Sequence, residues 1–432
     1  MASLLLCATG VLGASPYSVP FSWETIPRYT FCVNSSSPTN ITDGVFSDAA
    51  AEYIAKQAIY LNNPTLIRPP GACIEAETVM PLQAARLRRL NPAQAQWFYY
   101  AIDLARPHNF GNDHWLYDHP ECQLHDKEGT PVPRMVWDFG RTCGVESWLN
   151  TSRQLITHGG LDGVFLDGFQ GCDPFSPGGC SRVCTSKVGC DAATMARWNA
   201  GLRAAIWRLK REILGSNGTL VCNYTPGPYL CDRNASDPSW NPIDDCPCDG
   251  TNDERGGGNW EHEQLVDAVD AQGRGAYLML THVPHADDAA VMLRAVPLFL
   301  MAAEAYQYLG SGFGYECTGS GWLTTDARVQ HAFGAPLGAP LAPANESRWC
   351  APAPPCCKTD VTCSAACAPP LGAACVRARA FASGTRAWAN YSSGATCMLW
   401  ADGVNASTPG RDHSDGCAAA AAWFAAAAAA TL

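Results

Sequence analysis

The sequence predicts an α/β chain built around a (β/α)8 TIM barrel, and three observations predict it. Apolar runs of strand length recur and alternate with stretches at helical spacing, giving about eight strand–helix units in roughly 280 residues, the order and number that close a parallel barrel. The chain has 432 residues, 47% apolar and 16% charged, enough for one large core. No G-x-G-x-x-G follows the first strand-like run, which lowers the rival open, doubly wound sheet.

The elements follow in order. Arg28–Val33 (RYTFCV) is rich in aromatic and branched residues and reads as a strand; Asp48–Lys56 reads as a helix leading into a strand at Ala58–Leu61. Glu77–Leu90 alternates at helical spacing until Asn91-Pro92 stops it, and Gln96–Ile102 (QWFYYAI) is an aromatic strand. In 159–172, GGLDGVFLDGFQGC, a short apolar run is bracketed by Asp162 and Asp167. If it is a strand, roughly 17 Å separates these carboxylates, too far for a catalytic pair. A helix over Ala192–Leu214 precedes a strand at Gly218–Tyr224. The sixth strand is placed in Gly258–Val269, around GNWEHE. Gly275–Thr281 is the seventh strand, Asp288–Ala302 a helix and Ala305–Gly310 the last strand.

The barrel is thus expected over 16–340. Residues 341–376, rich in Cys, Pro and Ala without periodicity, read as a disulfide-pinned insertion. Short alternating runs split by Ser-Gly turns make 377–410 a small antiparallel β element, and 411–432 is an Ala-rich low-complexity tail, a weak match to a lipid-anchor signal and better read as a helix.

A net charge of −11 and a pI near 5.3 argue against nucleic acid or an anionic membrane as partner, since both demand a basic face. No interior run is long enough for a membrane span. The 22 cysteines and nine Asn-X-Ser/Thr sequons (Asn34, Asn40, Asn150, Asn217, Asn223, Asn234, Asn345, Asn390 and Asn405) fit the secretory pathway and an extracellular destination. Residues 1–15, MASLLLCATGVLGAS, read as a signal peptide without the usual basic start. Its removal takes Cys7 and leaves an odd number of cysteines. Cys246-Pro-Cys248 and Cys356-Cys357 lack paired histidines at zinc spacing and read as disulfide cysteines; neither a metal nor a cofactor is expected.

Barrel active sites lie at the C-terminal ends of the strands. Asp162 precedes its strand and is expected to shape a turn, whereas Asp167 ends it and faces the site. The partner carboxylate is expected at the sixth strand as Glu261, with Glu263 the competitor. Asp103 ends the third strand, Asn223 the fifth (or bears a glycan, being in a sequon) and His282 the seventh. Tyr100, Trp115 and Trp260 are the aromatics expected to stack on sugar faces, the other tryptophans being mostly core. His108, His114, His119 and His125 read as loop residues. Two carboxylates at separate strand ends, with amides and aromatics between them, suit glycoside hydrolysis: one protonates the leaving oxygen, while the other attacks the anomeric carbon or activates water.

In their order, NPAQAQWFYYAI, HPECQLHDKEGTPV with its D-x-x-G turn at Asp126–Gly129, VWDFGRTCGVESWL, GGLDGVFLDG, AEAYQYLG, HAFGAPLGAP and VRARAFASGTRAWANYSSG resemble the TIM-barrel family of hypothetical glycosyl hydrolases, most closely the group numbered fifteen. The resemblance covers residues 28–402 apart from cysteine-rich insertions at 172–190, 231–248 and 350–375. It implies Asp167 as the fourth-strand nucleophile, Glu261 as the sixth-strand acid and retention of configuration; it implies no substrate. The resulting expectation is a secreted glycosidase acting on a poly- or oligosaccharide. The alternative is a catalytically silent glycan-binding barrel of a cell surface or extracellular coat.

Overall fold

The computed structural model of the chain describes residues 19–31, 41–42, 45–63, 76–102, 104–105, 110–132, 135–168, 189–223, 246–253, 278–283, 288–310, 326–342, 376–390 and 395–408. Eight parallel strands close a barrel: β1 (Arg28–Thr30), β2 (Ile59–Asn62), β3 (Ala95–Ala101), β4 (Gly163–Asp167), β5 (Thr219–Asn223), β6 (Gly250–Asp253), β7 (Leu278–Thr281) and β8 (Gln307–Gly310). Each pairs with its sequence neighbours, and β8 returns to β1 through Leu309↔Arg28 and Gly310↔Tyr29.

Helices α1 (Asp48–Ile54), α2 (Ala76–Leu90), α3 (Gly111–Asp118), α4 (Thr142–Arg153), α5 (Ala192–Arg208), α6 (Ala289–Ala302) and α7 (Ala327–Gly334) follow the strands. Four of them start on a side-chain cap: Ser47, Asp191, Asp288 and Asp326 each accept a first-turn backbone N–H of α1, α5, α6 and α7. Helices α4 and α5 each end in a wide π turn, Gln154–His158 and Leu209–Leu214.

The strands are buried on both faces, so they carry near-continuous apolar runs. One side fills the barrel: Tyr29, Leu61, Trp97, Phe165, Val221 and Tyr308 pack together. The other side, including Phe98, Tyr100, Leu166 and Cys222, packs beneath the helices against Trp148 and Trp198. Gly163 is glycine because a Cβ there would lie 2.7 Å from the Trp97 ring and 2.5 Å from the Thr219 carbonyl oxygen; without it the indole could not close the barrel floor.

The sixth strand corrects the sequence reading. It is Gly250–Asp253, not part of Gly258–Val269, and Asp253 pairs with Thr281 at its end. Four residues, Gly-Thr-Asn-Asp, offer no apolar run, so hydrophobic periodicity passes over them. A Cβ at Gly250 would come within 2.5 Å of Leu278, which leaves only glycine for that tight pairing.

Beside the barrel lies a four-stranded antiparallel sheet, β9 (Val376–Ala380), β10 (Arg386–Asn390), β11 (Ala395–Leu399) and β12 (Asn405–Thr408), in sequential order. It shares a core with α6 and α7 through Phe381, Ala387, Met398 and Trp400. Arg379 locks the two units: its buried guanidinium donates to the carbonyls of Leu300 and Ala303 at the end of α6 and pairs with Glu304 at 3.1 Å. This places a cation where the helix dipole is negative. A separate ribbon pairs Ile41–Thr42 with Val45–Phe46.

Two disulfides join described residues, Cys122–Cys143 and Cys222–Cys248, and Cys190, Cys246 and Cys397 are disulfide-bonded as well. Both cysteines of Cys246-Pro-Cys248 are thus structural. Among the described residues, no helix is long and apolar enough to cross a membrane. The D-x-x-G turn is a hairpin corner: Asp126 Oδ1 accepts the N–H groups of Glu128 and Thr130, both at 3.0 Å, and Gly129 takes a left-handed φ of 80°.

Candidate active site

Asp167 is the last residue of β4, partly exposed in the barrel mouth, on the same side of its strand as Phe165. Gly168 turns the chain away at φ 93°, a left-handed conformation that glycine adopts without strain. Three donors converge on the carboxylate. Its Oδ1 accepts the Gly168 N–H at 2.7 Å and the Asn223 Nδ2–H at 2.7 Å, and its Oδ2 accepts the Tyr99 hydroxyl. All three donors are neutral. Asn223 ends β5, its oxygen accepts Asn252 Nδ2–H from β6 at 3.1 Å, and Asn252 Oδ1 accepts the Tyr29 hydroxyl from β1 at 3.4 Å. Aromatic rings floor the mouth: Tyr99 stacks on Phe165 with centroids 6.0 Å apart, and Phe31 lies 5.7 Å from Tyr99.

Asp162, at the other end of β4, serves architecture as its position implies. Its Oδ1 pairs with Arg88 at 2.8 Å, and its Oδ2 accepts the Gln96 N–H at the start of β3, also at 2.8 Å.

The remaining expected site residues divide. Asn223 stands at its strand end, but both ends of its amide are engaged inside the barrel and the side chain is fully buried. A glycan on Nδ2 would displace Asp167, so this sequon is no acceptor in the folded chain. His282 follows β7 directly and is buried. Tyr100 is a correction: it lies on the helix side of β3, stacked on Trp148 at 5.4 Å with its hydroxyl donating to the Trp148 carbonyl. Burial there pushes its phenol well above the usual range, and Asp113 adds to the effect. Trp115 is a second correction: it sits on α3, packed against the core under the helices and stacked on His119 at 3.9 Å. Asp103, Trp260, Glu261 and Glu263 lie outside the described residues. The described sixth strand is Gly250–Asp253.

The sequence reading counted Tyr99 among the third strand's aromatics without singling it out, and it missed Asn252 and Tyr29. In Trp97-Phe98-Tyr99-Tyr100 both faces are aromatic, so alternation gives no clue to which tyrosine enters the barrel. Asn252 lay hidden in the polar sixth strand.

No protein-family model and no curated protein matches the chain. Among solved structures it is similar to the glycoside hydrolase domain of PelA from Pseudomonas aeruginosa, at 11% identity and TM-score 0.40, covering 67% of this chain and 95% of that one. It is similar to the noncanonic maltogenic alpha-amylase AmyB from Thermotoga neapolitana at 13% identity and TM-score 0.41, covering 67% and 68%. With the alpha-L-fucosidase isoenzyme 2 from Paenibacillus thiaminolyticus it shares 12% identity at TM-score 0.42, over 72% of this chain and 48% of that one. At such scores the likeness says nothing of this chain's reaction.

Proposed function

We propose that the chain is an exported glycosidase that cleaves O-glycosidic bonds of a poly- or oligosaccharide, with Asp167 as nucleophile. The observation that carries this reading is the setting of Asp167: a carboxylate at the C-terminal end of a barrel strand, held by neutral donors beside an aromatic floor. Oδ1 takes two hydrogen bonds and Oδ2 one, so Oδ2 keeps the freer lone pair. In the first step Oδ2 bonds to the anomeric carbon while the bond to the leaving oxygen breaks; that oxygen keeps the electron pair and takes a proton from a second carboxyl group. Water, deprotonated by the same group, then cleaves the glycosyl ester and restores Asp167, with net retention. The acid is Asp253, which ends β6, or Glu261, eight residues beyond it. His282, Asp103 and Trp260 are proposed to contact the sugar. The disulfides support the export reading, and the order of motifs, which resembles that of hypothetical glycosyl hydrolases, supports the glycosidase reading.

The test is turnover of a panel of 2,4-dinitrophenyl α- and β-glycosides by the intact secreted chain and by Asp167→Asn, Asp253→Asn and Glu261→Gln. Loss with Asp167→Asn supports the reading; because dinitrophenolate leaves without a proton, the acid is named by whichever of the other two variants slows the second, hydrolytic step and is rescued by added azide. The anomeric configuration of the first-formed sugar, read by NMR, decides retention. If no glycoside is turned over, yet a glycan array binds the chain and its Asp167→Asn variant equally, the barrel is a binding module.

A further inference from the structure

Three hydrogen bonds behind Asp167 run in one direction. A carboxylate accepts and does not donate, which fixes the Asn223 amide with its nitrogen toward Asp167 Oδ1 at 2.7 Å. The Asn223 oxygen must then face away, and it meets Asn252 Nδ2 at 3.1 Å. That turns the Asn252 oxygen outward, where it accepts the Tyr29 hydroxyl at 3.4 Å. In each of the three links, Tyr29 to Asn252, Asn252 to Asn223 and Asn223 to Asp167, the donated hydrogen points toward the carboxylate. All three supporting residues are buried, in surroundings where aligned hydrogen bonds polarise one another. The chain of hydrogen bonds spans β1, β6, β5 and β4, and the Cys222–Cys248 disulfide ties β5 to the residues just before β6.

We propose that Asn252 and Tyr29, acting through Asn223, are positioning residues that hold Asp167 Oδ1 and leave Oδ2 to react. Neither is expected to touch substrate. The inference rests on the reading of Asp167 as the reacting group, but its geometric content is tested without any substrate.

The experiment measures the rate at which a water-soluble carbodiimide with glycine ethyl ester labels Asp167 at one fixed pH, mapped by peptide mass spectrometry on the intact, disulfide-bonded chain. A carboxyl oxygen adds to the central carbon of the carbodiimide as a carbodiimide nitrogen takes up a proton, and the amine then displaces the urea from the O-acylisourea. Donors on the carboxylate compete for the electron pair that forms the new bond, so weakening them speeds labelling. Asn252→Leu keeps the branching of the side chain, removes the donor to Asn223 and is expected to speed labelling of Asp167 about five-fold. The control is Thr251→Val, one residue earlier on β6, where the buried hydroxyl has no hydrogen-bond partner among the described residues; it should leave the rate unchanged. If Asn252→Leu fails to fold, Tyr29→Phe keeps the ring, removes only the last hydroxyl and should speed labelling about twofold. Equal rates in the native chain, Asn252→Leu and Tyr29→Phe overturn the proposal. So does an equal acceleration by Thr251→Val, which would mark loosening of β6 alone. With the glycoside panel, Asn252→Leu should lower kcat with KM nearly unchanged. If the panel is not turned over but labelling responds as expected, the glycosidase reading fails and the positioning chain stands.

Discussion

Asp162 and Asp167 bracket the same short strand, both are partly exposed, and both accept hydrogen bonds from the neighbouring β3, yet they are held in opposite ways. At the lower end Asp162 meets the Arg88 guanidinium and the Gln96 N–H. At the mouth Asp167 meets a phenol, a side-chain amide and a backbone N–H. A cation cancels the lower charge and makes it a strut. Neutral dipoles orient the upper charge without neutralising it, so it is still available to an electron-poor carbon. The lower device recurs: Asp249, just before β6, pairs with Lys210 at 2.7 Å and accepts the Leu220 N–H at 2.7 Å. Each uses one strand-start aspartate, one helix cation and one N–H of the preceding strand.

If this contrast is sound, the two ends of β4 must respond in opposite ways to the same change. Asp167→Asn should lower turnover of the responsive dinitrophenyl glycoside by roughly a thousandfold or more while leaving the thermal midpoint within a few degrees. Asp162→Ala should keep kcat/KM and lose about 1–2 kcal/mol of stability in urea titrations, from the lost ion pair and the N–H left without its acceptor. A stability loss at Asp167 matching that at Asp162, with activity retained in both, would erase the distinction.

The lower end was legible from the sequence and the upper end only in part. An aspartate immediately before an apolar run marks a strand start, and one after it with glycine following marks a strand end in the mouth; both placements stand in the structure. Seven of the barrel strands overlap runs that periodicity identifies, because each carries its own apolar or aromatic stretch. The eighth, Gly250–Asp253, does not: its neighbours supply the packing, and its own residues supply a close approach at Gly250 and an amide at Asn252. That omission moved the expected acid from the strand end to Glu261. The choice of Tyr100 over Tyr99 failed for the complementary reason. With aromatics on both faces, nothing local tells the barrel interior from the helix layer, and only pairing with Asp167 across β4 settles it.

Tyr99 sharpens the comparison at the mouth, since it is the sole hydrogen-bond partner of Oδ2 among the bonds described. Tyr99→Phe keeps the stack on Phe165 and deletes the hydroxyl. The expected result is about a tenfold fall in kcat, near 1.4 kcal/mol, a size in keeping with one hydrogen bond to a charged group. Stability should change little, because the ring remains in place. A loss of stability with kcat unchanged would make Tyr99 a second strut and bring the mouth closer to the lower end in kind.

The smallest effect belongs to Asp249, where the lower device can be read through pH. Burial raises its carboxyl above the ordinary value of 3.8, and Lys210 offsets this only in part. The folded chain therefore holds this proton more tightly than the unfolded chain. Between the unfolded and folded values the native state binds more protons, so this group's contribution to stability falls as pH rises through that window and improves as pH falls through it. Asp249→Asn removes the titration while retaining an oxygen for the Leu220 N–H. The native chain should then gain stability relative to Asp249→Asn between pH 7 and pH 4 in parallel urea titrations, by less than about 1 kcal/mol. A gain for the variant over the same interval would mean that the Lys210 pair outweighs desolvation, and the buried strut would be an asset at neutral pH rather than a cost that the barrel floor carries to keep its strands in register.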